Sequence, residues 1–217
     1  YNLQVQLKET ILRDCLKRLA QIELALSEPI VNDNPWHYRL RGQFKLSEAG
    51  PGFYKEGTKE VVSITSCPVM AKSIEELLPK VKALVNGLKV KEVQITSGDC
   101  SIALMKTSAR VKSKTVWERA ASEFLASGFS GLFVETPDHK LFRYGKSFVT
   151  LDLGPLKYTV PPTSFFQSHW KLNNIMVQFI KDTLSPLEDC KILDLYAGSG
   201  NFSLPLVADA QVTAIEE

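Results

Sequence analysis

The feature that most constrains the fold is the stretch 191–202, near the end of the chain, which reads KILDLYAGSGNF. An apolar run over 192–196 predicts a buried strand, and Gly198 and Gly200 follow it. A short apolar segment and a second strand candidate at 211–215 come next. A strand, a glycine turn, a helix and a strand in this order are typical of the opening unit of a nucleotide-binding α/β sheet. The glycine turn is defined below as residues 196–202.

Three residues around the glycine turn indicate the kind of ligand. Glu216 lies about 20 residues past the first strand, the spacing of an acid that binds the two hydroxyls of a ribose. The dinucleotide-binding fingerprint has a third glycine where this chain has Ser203, and Asp194 lies at the end of the first strand. Both points favour S-adenosylmethionine over NAD. A tight strand-to-helix turn in any α/β domain would leave a similar pattern.

The composition is ordinary for a globular protein. The 217 residues are 44% hydrophobic and 23% charged, and the net charge of +2 permits an RNA partner without arguing for one. No apolar run reaches the roughly 18 residues needed to span a bilayer. The four cysteines contain no CxxC pair, so a disulfide framework is not expected. We therefore expect a cytoplasmic, monomeric protein without a membrane partner.

The chain opens with a predicted amphipathic helix over residues 2–25. Its apolar residues recur at spacings of three and four, and Cys15 falls within the apolar stripe. We therefore expect Cys15 to be a buried small hydrophobe.

Residues 36–160 predict an α+β domain of antiparallel strands and two helices. A capping box at 73–76 predicts the start of one helix, which ends near Leu88. The other helix is predicted over 114–127, with four residues facing inward: Val116, Ala120, Phe124 and Leu125. The strand candidates are 36–46, 52–55, 60–65, 92–96, 102–106, 131–136, 140–144, 148–153 and 156–160.

The first of these strands has one largely apolar face and one basic and polar face. The apolar face is Tyr38, Leu40, Gly42 and Phe44, and the other face is Arg39, Arg41, Gln43 and Lys45. The basic face is the best local candidate for contact with a nucleic-acid backbone. A solvated outer face explains the same spacing equally well.

A proline pair at 161–162 marks the next boundary. Thr163 and Ser164 predict the cap of a helix over 165–184. The residues expected along one side of that helix are Phe166, Trp170, Asn173, Val177 and Ile180.

Four segments together resemble the RNA 5-methyluridine methyltransferases. They are SFFQ at 164–167, the stretch 191–202, WHYRLR at 36–41 and SCPVM at 66–70. The resemblance implies an α/β fold of the Rossmann-like, class I S-adenosylmethionine-dependent type, joined to an α+β central domain with an antiparallel sheet.

The same resemblance implies three regions. Residues 1–30 form an N-terminal helix that packs on the methyltransferase domain. Residues 31–160 form the RNA-facing central domain. Residues 161–217 form the first, incomplete part of the methyltransferase domain.

The resemblance implies methyl transfer from S-adenosylmethionine to carbon 5 of a uridine in ribosomal RNA or tRNA. In such enzymes a cysteine thiolate adds to carbon 6, and a carboxylate later removes the proton from carbon 5. The positions that match RNA contacts are Arg39 and Arg41. The positions that match cofactor contacts are Gln167, Asp194, Tyr196, Gly198, Gly200, Asn201 and Glu216.

Two further positions follow from the resemblance. Cys67 matches the fourth ligand of the 4Fe–4S cluster that some members hold, with the other three cysteines upstream of the first helix. The alternative is a buried free thiol, and this chain alone is expected to hold no cluster. His169 stands where the family commonly has asparagine.

The family's nucleophile and base belong to motifs that follow this part of the sequence. We therefore expect no catalytic residue in the chain and no turnover by it alone. Two other hypotheses stay open. One is a non-catalytic RNA-binding module built on residues 36–160, and the other is a nicotinamide-dependent enzyme, which Ser203 disfavours.

Overall fold

The computed structural model describes residues 2–32, 34–109 and 114–216. The chain divides into two units, Tyr1–Pro35 and Trp36–Glu217. None of the helices within the described ranges is long and apolar enough to cross a membrane.

The first unit is built on one helix, which is shorter than predicted. Helix α1 spans Asn2–Cys15 and continues as a π-helical segment over Leu16–Ala20. Gln21, with a left-handed φ of 55°, ends it, so the prediction of helix up to residue 25 is wrong. Cys15 is exposed, so its predicted burial is also wrong. In the described part of this unit there is no second helix or strand to cover the apolar stripe.

The second unit centres on a seven-stranded sheet. Its strands are β1 (Arg41–Ser47), β2 (Gly50–Tyr54), β3 (Val61–Ser63), β4 (Val90–Ser97), β5 (Ser101–Thr107), β6 (Gly131–Glu135) and β7 (Leu141–Gly145). The order across the sheet is β3-β2-β1-β4-β5-β6-β7. All neighbours are antiparallel except β5 and β6, which are parallel because a helix connects them. The predicted antiparallel sheet is therefore mixed at this pair.

Two more strands complete the predicted set. They are β8 (Val149–Leu153) and β9 (Leu156–Val160), which pair with each other as an antiparallel hairpin. Each predicted strand segment between 36 and 160 overlaps an observed strand, so this part of the prediction is confirmed.

Both faces of the sheet are covered. Helices α2 (Lys72–Leu84) and α3 (Lys114–Ala126) cover one face, where Phe44 and Ile95 are fully buried. The β8–β9 hairpin lies on the other face, against Ile102 and Phe133. Double coverage explains why β4 and β5 are buried along nearly their whole length.

The predicted capping box of α2 is wrong. The helix begins after Ala71, which makes no side-chain cap. The Ser73 hydroxyl lies 2.6 Å from the hydroxyl of Ser97 on β4. A long-range hydrogen bond has thus taken the side chain that the local pattern assigned to the cap. The helix ends at Leu84, four residues before the predicted end.

The prediction for α3 is confirmed at two of its four inward residues, because Ala120 and Phe124 are buried. Val116 and Leu125 are 49% and 38% exposed, so their predicted inward placement is wrong. The buried stripe is Trp117, Ala120, Ala121 and Phe124. The large ring of Trp117 takes the inward position at the start of the helix, and helical spacing then fixes the others.

The end of the chain contains the predicted glycine-turn unit. It consists of β10 (Lys191–Leu195), the short helix α5 (Ser203–Leu206) and β11 (Gln211–Ile215), with β10 and β11 parallel. The prediction that β10 is buried is wrong, because Leu193 and Leu195 are 58% and 56% exposed. Within the described residues, β11 is the one strand that pairs with β10.

The register of α3 can be tested by two substitutions in the same helix. Phe124→Ala should lower the free energy of unfolding by about 3–5 kcal/mol, because it empties a fully buried site. Val116→Ala should change it by no more than about 0.5 kcal/mol, because the side chain is half exposed. Urea denaturation of both variants measures the difference, and a larger loss at Val116 would contradict the observed register.

Candidate functional site

The glycine turn connects the carboxyl end of β10 to α5. Tyr196, Gly198 and Gly200 all have positive φ, at 59°, 58° and 79°. A Cβ atom at Gly200 would come within 3.0 Å of the Leu204 side chain, whereas a Cβ atom at Gly198 would meet nothing within 4 Å. Gly198 is therefore required for its backbone conformation and borders open space. The Tyr196 side chain is 85% exposed beside that space.

The acid after β11 reaches back to the glycine turn. The Gly198 N–H donates to Oε2 of Glu216 at 2.8 Å, and the Ala197 N–H donates to the carbonyl of Ile215 at 3.0 Å. These two contacts bring Glu216 against the turn although 18 residues separate it from Gly198. The sequence prediction placed the acid near the turn, and the structure shows the bond that holds it there.

The other acid, Asp194, anchors the far side of the turn. The Ser203 hydroxyl donates to Oδ2 of Asp194 at 2.5 Å, and Ser203 is buried. In the sequence, Ser203 stands where the dinucleotide-binding fingerprint has its third glycine. Its hydroxyl ties the start of α5 to the end of β10, which a glycine could not do.

A third contact joins the turn to helix α4 (Trp170–Leu184). Nδ2 of Asn173 donates to Oδ1 of Asn201 at 2.7 Å, and Nδ2 of Asn201 donates to Oδ1 of Asn173 at 2.9 Å. Asn173 is 2% exposed. The inward placement of Asn173 in the predicted helix stripe is confirmed, but no sequence pattern indicates its partner.

Helix α4 begins five residues later than predicted. Thr163 and Ser164 do not cap it. The capping residue is His169, whose ring Nδ1 accepts from the Leu172 N–H at 3.3 Å. The His169 ring also stacks on Tyr38, with centroids 4.3 Å apart. Burial lowers the pKa of His169, and the nearby Lys171 charge lowers it further.

The segment that precedes α4, residues 161–169, is called the extended segment below. It opens with a turn, in which the Ser164 N–H donates to the carbonyl of Pro161 at 3.2 Å, and then lies along the sheet. The Leu40 N–H donates to the carbonyl of Ser168 at 2.9 Å, and Nε2 of Gln94 donates to the carbonyl of Pro162 at 2.6 Å. Residues in this segment alternate, with Phe166 buried and with Phe165 and Gln167 exposed. Gln167 therefore lies before the helix and does not cap it.

Arg41, on β1, binds the same segment. Its guanidinium donates to Oγ1 of Thr96 at 3.0 Å and to the carbonyl of Ser164 at 2.6 Å, and it lies 4.5 Å from the ring centre of Phe166. A longer contact of 3.4 Å reaches the carbonyl of Pro161. Burial lowers the pKa of Arg41 to about 10, so the side chain stays charged at neutral pH.

The basic face of β1 is used largely within the protein. Lys45 and Gln43 contact the carboxylate of Glu92, and Lys106 contacts it from β5 at 3.2 Å. These contacts lower the pKa of Glu92 against the effect of burial. Arg39, just before β1, is exposed.

A cleft of 520 Å³ opens on this side of the sheet, next to the extended segment. Its walls include Arg41, Gln94, Lys106, Glu135 and the exposed ring of Phe165. Phe165 is absent from the residues predicted for the site, although a second aromatic residue beside the buried Phe166 is the pattern that would have indicated it.

Cys67 is half-buried in the loop before α2. Its N–H donates to Oε1 of Glu75 at 3.1 Å, and its side chain packs against the core below α2. Across the described residues, no group of three or more His, Cys, Asp or Glu side chains could hold a metal ion. The donor set around Cys67 is therefore insufficient for an iron–sulfur cluster by itself.

Comparison with known sequences identifies related proteins. A profile of the family described as tRNA (uracil-5-)-methyltransferase matches residues 1–216. A 23S rRNA (uracil(1939)-C(5))-methyltransferase RlmD from Shewanella piezotolerans is 29% identical over 96% of this chain and 50% of its own length. An uncharacterised RNA methyltransferase from Aquifex aeolicus is 28% identical over 100% of this chain and 54% of its own length. The chain thus spans about half the length of these curated relatives.

One solved structure resembles the whole chain. It is the Pyrococcus abyssi tRNA (uracil-54, C5)-methyltransferase in complex with S-adenosyl-L-homocysteine, with a TM-score of 0.78 and 20% identity. The match covers 100% of this chain and 56% of that one. At this level of identity the likeness establishes the fold, including the arrangement of the sheet and the glycine-turn unit.

The cap of α4 makes a pH-dependent prediction. Because burial lowers the pKa of His169 in the folded chain, its contribution to stability is present above the unfolded-state pKa of about 6.5 and is lost as pH falls through the lower folded-state pKa. His169→Asn keeps a strong capping residue that does not titrate. Urea denaturation between about pH 7.5 and about pH 5 should show a steeper loss for the wild type. Identical pH profiles would contradict this role.

The role of Arg41 makes a second prediction. Arg41→Lys should lower the free energy of unfolding by about 1.5–3 kcal/mol, because an ammonium group cannot reach the hydroxyl of Thr96 and two carbonyls from one planar fork. The matched control is Arg39→Lys at an exposed side chain, which should change it by no more than about 0.5 kcal/mol. Equal effects in thermal denaturation would disprove the assignment.

Proposed function

Because the chain belongs to the tRNA (uracil-5-)-methyltransferase family, we propose that it provides the cofactor site and part of the RNA-binding surface of an enzyme that methylates carbon 5 of a uridine. The observation that carries the proposal is the hydrogen bond from the Gly198 N–H to Glu216. It joins the glycine turn, which follows β10, to the end of the parallel strand β11. The proposed substrate is ribosomal RNA or tRNA, the two classes that the matched relatives' names give.

The residues of the turn fit S-adenosylmethionine. Open space borders Gly198, where a Cβ atom would meet no other atom within 4 Å. The exposed ring of Tyr196 provides an apolar surface at the edge of that space. When bound, the cofactor supplies a methyl group that is activated by its positively charged sulfur. The residues of the protein bind and orient the cofactor.

We assign separate tasks to the polar residues of the site. Glu216 uses Oε2 to accept from the turn and presents Oε1 to the two ribose hydroxyls. Gln167, exposed at the end of the extended segment, offers an amide donor and an acceptor toward the same ligand. Asp194 holds the turn through Ser203 and does not need to touch the cofactor itself.

The cysteines of the chain are poorly suited to attack the uridine. Cys190 precedes β10, at the opposite end of a five-residue strand from the turn, or roughly 17 Å away. Burial raises the pKa of Cys100, which disfavours the thiolate. We therefore propose that none of the four cysteines is the nucleophile. Methylation of a uridine-containing RNA by this chain would contradict that assignment.

The RNA is proposed to run across the side of the sheet that carries the cleft. Arg39 is exposed and can contact a phosphate directly. Arg41 can contact RNA only where it lines the cleft, because its guanidinium is bound within the protein. A non-catalytic RNA-binding module would use the same surface, and cofactor binding separates the two hypotheses.

Three further expectations belong to this proposal. Cys67 contributes to a 4Fe–4S cluster only together with cysteines elsewhere in the protein, and visible absorbance of anaerobically purified protein tests this.

The three regions 1–30, 31–160 and 161–217 are proposed as domains, which limited proteolysis tests. A cytoplasmic location, without a membrane partner, and a monomeric state are tested by cell fractionation and sedimentation velocity.

Calorimetry with S-adenosylhomocysteine tests the cofactor site. The chain should bind this ligand and should not bind NAD. Glu216→Gln should weaken binding about tenfold, because an amide replaces one of the acceptors for the ribose hydroxyls. Glu188→Gln, at an exposed acid outside the turn, serves as the matched control and should bind as the wild type does. Binding of NAD without S-adenosylhomocysteine would refute the proposal.

A further inference from the structure

We propose that Asn173 is a positioning residue that keeps the glycine turn in its ligand-ready conformation through Asn201. This inference rests on the proposed cofactor site. It changes the role of Asn201, which the family resemblance implies to be a direct contact to the cofactor. In the structure, both Oδ1 and Nδ2 of Asn201 bond to Asn173 on helix α4.

The geometry of the pair supports this role. Each amide donates one N–H to the other and accepts one in return, over 2.7 and 2.9 Å. Two side-chain amides form both of these bonds only when the nitrogen of each one faces the oxygen of the other. The pair therefore fixes not only the distance between α4 and the turn but also the rotation of the Asn201 side chain.

Burial makes the pair difficult to replace. Asn173 is 2% exposed and lies on the same helix face as the buried Trp170 and Val177. If Asn201 swung outward, the amide of Asn173 would lose its partner where water cannot substitute for it. The conformation of residues 196–202 in which Asn201 bonds to Asn173 is therefore favoured even before a ligand binds.

The pair and Glu216 hold different residues of the turn. Glu216 holds the Gly198 N–H from β11, while Asn173 holds residue 201 from α4. With Ser203 bound to Asp194, three contacts hold the turn and its flanks within ten residues of chain, 194–203. Affinity is reduced when the free protein only rarely adopts the conformation that binds the ligand. A turn that already has this conformation avoids that reduction.

A neighbouring residue provides a matched control. Asn174 is the next residue in α4, and its amide donates to the carbonyl of Asp152 and accepts from the Gly154 N–H. It links α4 to the β8–β9 hairpin, and its hydrogen bonds go to Asp152, Gly154 and Trp170 rather than to the turn. A variant at this position therefore removes the same chemical group from the same helix without touching Asn201.

The experiment measures ligand affinity and turn opening in the same variants. The variants are Asn173→Ala, Asn173→Asp, Asn201→Ala, the double variant Asn173→Ala/Asn201→Ala, and Asn174→Ala. The readouts are calorimetry with S-adenosylhomocysteine and hydrogen exchange of the amides over 196–202. Asn173→Asp keeps the shape and removes the N–H donor, so it remains informative if the alanine variant folds poorly.

We expect Asn173→Ala and Asn173→Asp to weaken binding about tenfold and to speed exchange over the turn. Asn201→Ala and the double variant should weaken binding by the same factor, because each removes the same pair. Asn174→Ala should lower the melting temperature and leave both readouts at the wild-type values. This separation of affinity from stability would not follow from a merely structural role.

The remaining outcomes are decisive in different ways. Wild-type affinity and exchange in both Asn173 variants would overturn the inference. A loss of affinity in Asn201→Ala alone would also overturn it and would indicate a direct contact between Asn201 and the ligand. If the wild type does not bind S-adenosylhomocysteine but Asn173→Ala speeds exchange, the proposed cofactor is wrong and the positioning of the turn stands.

Discussion

The second unit depends on the contact between Arg41 and the extended segment at 161–169. One guanidinium on β1 binds a hydroxyl on β4 and two backbone carbonyls that are more than 100 residues away along the chain. This contact fixes where the segment lies on the sheet and therefore where α4 begins. Helix α4 in turn carries Asn173, which reaches the glycine turn. The position of the candidate site is thus set from the central sheet outward.

Much of the fold could be predicted from the sequence because its signals are local. The alternation along β1, the turns between the strands and the glycine turn each lie within a few residues. The parallel pairing of β5 with β6 could not be predicted in the same way, since either direction accommodates the same apolar run. The prediction of burial for β10 failed for a related reason. An apolar strand is buried only where another layer covers it, and Leu193 and Leu195 have none among the described residues.

The starts of α2 and α4 were predicted wrongly, whereas those of α1 and α3 were predicted correctly. Ser73 and Ser164 stand at positions where a local pattern predicts a cap. The Ser73 hydroxyl instead pairs with the Ser97 hydroxyl on β4, and the backbone carbonyl of Ser164 accepts from Arg41 on β1. The residues of the candidate site also divide into those with a local sequence signal and those that act through long-range contacts. Glu216 and Gly198 could be found from spacing, whereas Asn173 and the hydroxyl of Ser203 act through partners that spacing does not reveal.

The internal role of Arg41 bears on how genetic data for this protein would be interpreted. An arginine in a basic strand is an obvious target when residues that recognise RNA are sought by mutation. Because its guanidinium holds the extended segment in place, a variant with less of the proposed activity in the cell would first reflect a smaller amount of folded protein. A screen at this position therefore has to be normalised to the level of folded protein before it is informative about recognition.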